Sequence, residues 1–329
     1  MPTFCRHNRL IQTCPICSRE QEIELRPVVS SSAPRTGQPR ARSSGSTRSR
    51  GGSAQSGPRG GVTVRQLARG ADDGYSSPLA PGLRSSADAE RLAEELAFAA
   101  GRLTRLEQDP PGLYADIADG REDIEDRTWL AFLIAYLGPT QSDDPFAAIR
   151  HVATPWTEAQ PPELDGVELG PRTAHDPARG ARTIEAYRSW AARAGSQAAA
   201  FTGDAGWTRE RRFSRIFERL ALPGLHRGAR FDLLVTLGRL GVYDLRAGAL
   251  ELQGSNNVTV AAKRALGIGD PLLLERRAAE LARACGLPLE ALDLGLSNWE
   301  RGERATLGLP PDTEPDPDAL TATRAALGL

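Results

Sequence analysis

The sequence predicts a mainly α protein, and three observations support this fold class. Apolar residues recur with the 3.6-residue period of amphipathic helices over several long segments. The alternation typical of a strand is confined to one short stretch, residues 249–252. With 40% hydrophobic and 25% charged residues, the 329-residue chain has the composition of a protein that folds around a packed core.

The helical elements can be placed in order along the chain. The first begins where Asp88 is positioned to cap its N-terminus. The segment 126–137 is apolar almost all round and stops at Gly138, as expected for a helix in the centre of a core. Residues 138–180 contain many prolines and are predicted to be rich in loops. Further helices are predicted over 183–200, 208–220, 228–240, 260–266, 270–285 and 289–301.

Composition and charge exclude some classes of protein. No apolar run approaches the ~20 residues that span a bilayer, and the N-terminus lacks the apolar stretch of a secretion signal. We therefore expect a cytoplasmic protein with no membrane contact. The formal net charge of −1 hides an asymmetry, since residues 26–59 contain arginine and no acid whereas 88–126 are rich in acids. No pattern specifies a protein partner.

Shifts in composition divide the chain into four predicted parts. Residues 1–26 carry three of the four cysteines, and residues 27–87 are so rich in Ser, Gly, Pro and Arg that we expect a disordered linker. This linker is either a simple tether or an arginine-rich arm that contacts polyphosphate backbones without sequence preference. Residues 88–305 form the helical domain, and residues 306–329 form an acidic, proline-rich tail with a short helix.

The cysteine-bearing head has the spacing of a small zinc site. Cys14 and Cys17 form a Cys-x-x-Cys turn, and Cys5 with His7 supplies a second pair of ligands. Four such ligands complete the tetrahedral set that zinc prefers in a closed, structural site. A redox Cys-x-x-Cys is the alternative, but it requires a surrounding βαβ pattern that this sequence lacks. We therefore predict a structural zinc ion as the cofactor of this segment.

The segment 212–234 has the build of two helices joined by a tight hairpin. Leu222-Pro223-Gly224 ends one helix and the next begins almost at once. Amides at the second N-terminus can bind a backbone phosphate, and nearby arginines make the region basic. An ordinary helical turn with solvated arginines is the alternative. The candidate DNA-binding residues are Arg211, Arg212, Gly224, His226, Arg227 and Arg230.

Lys263 stands out because it is the only lysine in the chain. A lysine amine can act as a base or a nucleophile or bind phosphate as a point charge, whereas arginine keeps its proton in proteins. Chance survival in a composition that favours arginine is the alternative. Arg264 lies beside Lys263, and the glycine turn that follows leads to Asp270.

Several blocks of the chain resemble the alpha-glutamyl/putrescinyl thymine pyrophosphorylase family, most closely its third clade. The blocks are residues 5–9 with 14–17, residues 194–197, Trp207 with residues 211–213, residues 237–241, residues 261–270, residues 292–293 and residues 298–299. The resemblance implies the fold of helix-hairpin-helix DNA glycosylases for residues 88–305. In such hairpins a second glycine usually stands at the position of His226, which could contact phosphate itself or cap the turn.

The resemblance also implies an activity on DNA. An amine such as an amino acid or a polyamine would displace pyrophosphate from an activated 5-hydroxymethyl pyrimidine, which is a step in thymine hypermodification. Cations would stabilise the leaving group, a carboxylate could accept the proton of the amine, and Trp207 or Trp299 could stack on a flipped base unless they are core residues. The candidate catalytic residues are therefore Lys263, Arg264, Asp270 and Asp293.

Two other functions compete with this one. A DNA glycosylase or lyase would remove a modified pyrimidine, and a non-catalytic protein would only bind DNA. Glycosylases of the implied fold carry an aspartate after the hairpin, in a segment followed by basic residues. Residues 257–260, which precede Lys263, contain no acid, so base excision is disfavoured. The lysine and its basic neighbour argue against a purely binding role.

The zinc prediction can be checked by elemental analysis. We expect about one zinc ion per chain, the stoichiometry of one four-ligand site. Cys14→Ala should lose the metal while the helical domain still melts cooperatively. Wild-type protein purified without zinc would show that the four ligands do not form a metal site.

Overall fold

The computed structural model of the chain describes residues 70–158 and 160–329, and it is mainly helical with no strand among them. This confirms the mainly α class, while the helix-hairpin-helix glycosylase fold stays a prediction. The predicted zinc ligands and most of the predicted arginine-rich linker lie outside the described residues. Twelve helices are described: α1 Ser86–Gln108, α2 Leu113–Ala118, α3 Ile124–Leu137, α4 Ala147–Val152, α5 Gly180–Ala194, α6 Gln197–Thr202, α7 Arg209–Arg219, α8 Arg227–Arg239, α9 Asn257–Leu266, α10 Pro271–Ala284, α11 Ala291–Arg301 and α12 Pro317–Leu327.

Helix α1 is the element against which much of this domain packs. It contacts α8, α11 and α12, while α11 also packs against α9 and α3 packs against α8. Helix α11 is buried on every side from Ala291 to Trp299, which is the pattern of a helix inside a core. None of the described helices combines the length and the apolar run that a membrane span needs.

Several helix ends follow the capping chemistry expected of their residues. Asp123 accepts the amide of Glu125 at the start of α3, and Gly138 with a φ of 74° ends that helix. Asp270 accepts two amides at the start of α10, directly before Pro271. These caps fix the points at which α3 and α10 begin and at which α3 ends.

Predictions for four elements differ from the structure. The first helix begins at Ser86, so Asp88 lies inside its first turn and does not cap it. The helix predicted over 183–200 is broken at Gly195, whose φ of 95° favours glycine, and Ser196 caps a new helix. The loop-rich region 138–180 contains the short helix α4. The stretch 249–252 forms no strand, because the amides of Leu250 and Leu252 bond to the carboxylate of Glu275 instead of a neighbouring strand.

The ends of the helical body also extend further than predicted. Residues 70–85 were assigned to the linker, yet Ala80 and Leu83 are buried and the amide of Gly82 bonds to the carbonyl of Ala265 at 3.0 Å. The predicted tail likewise contributes α12, which packs along α1. Both segments contain too few apolar residues to show a periodicity in the sequence. These few residues are nevertheless sufficient to pack the segments against the helices of the domain.

The close approach of α11 to α1 gives a test of this packing. A Cβ added at Gly295 would lie 2.7 Å from Leu96 Cδ2 and 3.0 Å from Leu96 Cα. Gly295→Ala should therefore lower the free energy of unfolding by about 1–3 kcal/mol, the cost of overpacking a core. Gly269→Ala is the control, because a Cβ there meets nothing within 4 Å. Equal unfolding free energies for the two variants would contradict the described helix contact.

Candidate functional site

A buried ionic network joins two helices and the loop before α5. Arg172 donates from Nε and Nη2 to the two carboxylate oxygens of Asp232 on α8, at 2.8 and 3.1 Å. Its Nη2 also donates to Oδ1 of Asp293 on α11 at 2.8 Å. Arg227, at the start of α8, donates from Nη1 to the other oxygen of Asp293. One carboxylate that is only 2% exposed therefore holds two guanidinium groups.

The charges of this network depend on one another. Burial alone would lower the pKa of Arg172, but Asp232 and Asp293 outweigh burial and hold that pKa above its ordinary value. Arg227 in addition donates from Nε to the carbonyl oxygen of Glu251 at 3.1 Å, which attaches the loop before α9 to the network. Loss of any one member would leave a buried charge without its counter-charge.

A pocket of about 300 Å³ adjoins this network. Arg172 and Arg227 both contribute to its wall, together with a third arginine, Arg301, at the end of α11. Arg301 donates from Nη1 to the carbonyl oxygen of Pro171, and no carboxylate of the described residues pairs with it. Neutral hydrogen-bonding side chains complete the polar lining, namely Thr173, Asn256, Asn257 and Ser297. The pocket wall is therefore cationic, with neutral polar groups beside the charges.

Two helix N-termini meet at the same pocket. His226 caps α8 by accepting the amide of Ala229 on its ring Nδ1 at 3.3 Å, so the ring donates from Nε2 to the carbonyl of Thr173. Asn256 caps α9. First-turn amides such as those of Gly228 and Val258, which both line the pocket, have no intrahelical acceptor. Amides and helix dipoles at two N-termini favour an anion here.

The candidate catalytic residues are not brought together. Asp293 lies in the network behind the pocket. Lys263 is exposed on α9, roughly 9 Å along the helix axis from Asn257 at 1.5 Å per residue. Arg264 stacks over Trp299 and pairs with Glu300 at 2.9 Å. Asp270 caps α10, is exposed and does not line the pocket.

The candidate DNA-binding residues have different surroundings. Arg211 is exposed on α7, whereas Arg212 is buried and donates to the carbonyls of Thr202, Trp207 and Asp244. Arg230 donates to the carbonyl of Phe217 and lies over that ring.

The turn between α7 and α8 requires a glycine at position 224. Gly224 has a φ of 81°, and a Cβ there would lie 2.1 Å from Thr183 Oγ1. The φ and the close contact both exclude a side chain. Of the candidate DNA-binding residues, His226 and Arg227 belong to the pocket wall.

Sequence reasoning missed two charged residues of the pocket wall and one of the ionic network behind it. Arg172 lies in a loop and Arg301 at a helix end, so neither shows in a periodicity. Asp232 gave a usable signal, because it interrupts the buried run Phe231 to Leu237 on α8, and an acid in such a run is seldom buried without a partner. Trp299 is buried and donates to the carbonyl of Asp88.

Comparison with known proteins gives one match. Residues 171–303 match the model of the family described as alpha-glutamyl/putrescinyl thymine pyrophosphorylase clade 3. The match covers less than half of the chain and supports the resemblance for that segment. No curated protein and no solved structure matches the chain.

The buried network predicts a large effect of a small substitution. Asp293→Asn keeps the size of the side chain but leaves the guanidinium groups of Arg172 and Arg227 without their shared counter-charge, so the free energy of unfolding should fall by about 3–5 kcal/mol. Asp144→Asn is the control, because Asp144 pairs with Arg150 on the surface, where both side chains are 53% exposed and such pairs contribute about 0–1 kcal/mol. Similar losses measured by denaturant unfolding would contradict the network.

Proposed function

We propose that the helical domain is a DNA base-modifying enzyme. It replaces the diphosphate group of an activated 5-hydroxymethyl pyrimidine with an amine, and it binds the diphosphate in the pocket between the N-termini of α8 and α9. The amine is an amino acid or a polyamine, as the name of the matched family suggests for its members.

One observation carries this proposal. All lining residues of the pocket, from Pro171 to Arg301, lie within the segment 171–303 that matches the family model. The pocket offers three guanidinium groups and two helix N-termini, a combination suited to an anion with several charged oxygens. The part of the chain that resembles a pyrophosphorylase family is thus the part with an anion-binding geometry.

The displacement of pyrophosphate by an amine needs little from the protein besides stabilisation of the leaving anion. The amine attacks the methylene carbon on the pyrimidine, a C–N bond forms, the C–O bond to the diphosphate breaks, and pyrophosphate leaves with the electron pair. Arg172, Arg227 and Arg301 stabilise the charge that develops on the leaving oxygen. A neutral amine gives a secondary ammonium product, whose proton passes to water, so the pocket requires no carboxylate as a base.

The other polar residues have roles that fit this reaction. Asn256, Asn257 and Ser297 can hydrogen-bond to the edge of a pyrimidine turned out of the duplex. Asp293 has both oxygens occupied by arginine N–H groups, so it acts by holding Arg172 and Arg227 in place. A structural zinc ion at the N-terminal cysteines remains a prediction beside this proposal.

The reaction products decide between the candidate functions. Duplex DNA that carries a diphosphorylated 5-hydroxymethyluracil should yield pyrophosphate and a covalent amine adduct when glutamate or putrescine is supplied. Mass spectrometry of the digested DNA would detect the adduct. An abasic site would indicate a glycosylase, and unchanged DNA with tight binding would indicate a non-catalytic protein.

Arg301 gives a sharp test of the pocket. Arg301→Met should lower kcat on the order of 100-fold, the scale of losing one electrostatic stabiliser, because this guanidinium has no carboxylate partner among the described residues to share its charge. Arg283→Met is the matched control, since Arg283 is exposed on α10 outside the pocket. Equal kcat values for the two variants would exclude Arg301 from the reaction.

Variants of Lys263 test whether the DNA backbone passes beside α9. Its exposed position on α9 favours contact with a phosphate of the duplex flanking the pocket, so Lys263→Ala should weaken DNA binding and reduce its salt slope by about 1. Lys263→Arg keeps the charge and should bind like wild type. If both variants bind DNA normally and neither turns over, Lys263 acts as a catalytic amine and the pocket assignment is wrong.

A further inference from the structure

A third buried arginine, Arg102 on α1, lies behind the pocket and has no carboxylate partner in the part of the chain that the structure describes. It is 3% exposed, and its Nε has no hydrogen-bond partner among the same residues. Its Nη2 lies 3.4 Å from the hydroxyl of Tyr114, and its guanidinium lies 5.8 Å from the centre of that ring. Burial raises the pKa of the Tyr114 hydroxyl, so this group stays neutral at neutral pH and provides no counter-charge.

A small cavity connects Arg102 to the ionic network. Its polar lining includes Arg102, Tyr114, Arg172, Asp232 and Thr236. The cavity leaves about 10 Å³ for the centre of a water molecule, which is roughly the room that one ordered water needs. A water there has donors and acceptors on several sides. They include the remaining lone pairs of Asp232, whose only described donor is Arg172.

The buried charges around this cavity do not sum to zero. Arg102, Arg172 and Arg227 are cations, and among the described residues two carboxylates, those of Asp232 and Asp293, pair directly with this group, so the directly bonded network has one excess positive charge. Arg301 adds a second at the pocket wall. A phosphodiester of the DNA backbone carries one negative charge and leaves part of this excess uncompensated. A diphosphate carries at least two negative charges and compensates it.

We propose that Arg102 is a positioning and specificity-determining residue of the pocket, linked to Asp232 through one water, and that its charge makes the pocket select ligands with two or more negative charges over phosphodiesters. The inference rests on the proposed function, because it concerns the same pocket. The charge of Arg102 lets the pocket distinguish two sources of phosphate, the leaving group and the DNA backbone. The three arginines of the pocket wall alone would not distinguish them.

Calorimetric titration with inorganic pyrophosphate and with dimethyl phosphate, a monoanionic diester, tests this inference. Wild-type protein should bind pyrophosphate and show little affinity for dimethyl phosphate. Arg102→Gln should lose on the order of 10-fold in pyrophosphate affinity, since one unit charge is removed from a poorly screened interior, with little change for the diester. Arg102→Lys should restore most of the preference.

Arg188→Gln is the matched control. Arg188 also lacks a carboxylate partner among the described residues and stacks on aromatic rings, those of Trp129 and Trp156, but it lines neither the pocket nor the cavity. This variant should bind pyrophosphate like wild type. An Arg102→Gln protein that keeps wild-type affinity, or an Arg188→Gln protein that loses as much, would overturn the inference.

A second measurement does not depend on how the variants fold. A high-resolution crystal structure of the wild-type protein should contain an ordered water within hydrogen-bond distance of Arg102 and Asp232, and a dry cavity would overturn the link. Wild-type protein that binds no pyrophosphate at all would instead contradict the proposed function itself.

Discussion

The placement of Asp293 between Arg172 and Arg227 is the constraint on which the pocket depends. This carboxylate is carried by α11, the most enclosed helix of the described residues, and it fixes both the loop before α5 and the first turn of α8. Buried ion pairs cost desolvation energy and are seldom the most stable solution for a core. A network retained at that cost fits a role in holding cations where a ligand needs them.

The turn between α7 and α8 is connected to this network through the side chain of His226. The ring of His226 both caps α8 and bonds to the carbonyl of Thr173. These bonds attach the helix N-terminus to the loop that carries Arg172. The first residues of α8 therefore belong to the wall of a pocket, next to those of α9.

The sequence was informative about helices and much less so about the pocket. Periodicity is a local signal, so it located most helices, whereas the packing of residues 70–85 depends on tertiary contacts. The pocket and the network behind it unite residues more than a hundred positions apart in the chain, such as Arg172 and Asp293. Motif reasoning reached Asp293, His226 and Arg227, but no local pattern indicates that Arg172 and Arg301 share their surroundings.

A crystal structure with imidodiphosphate, a diphosphate that resists hydrolysis, would show where the anion binds. We expect the ligand in the pocket between α8 and α9, with its oxygens roughly 3 Å from the guanidinium of Arg301 and from the amide of Gly228. Density for the ligand only on exposed basic residues such as Lys263 or Arg211, with none in the pocket, would contradict it.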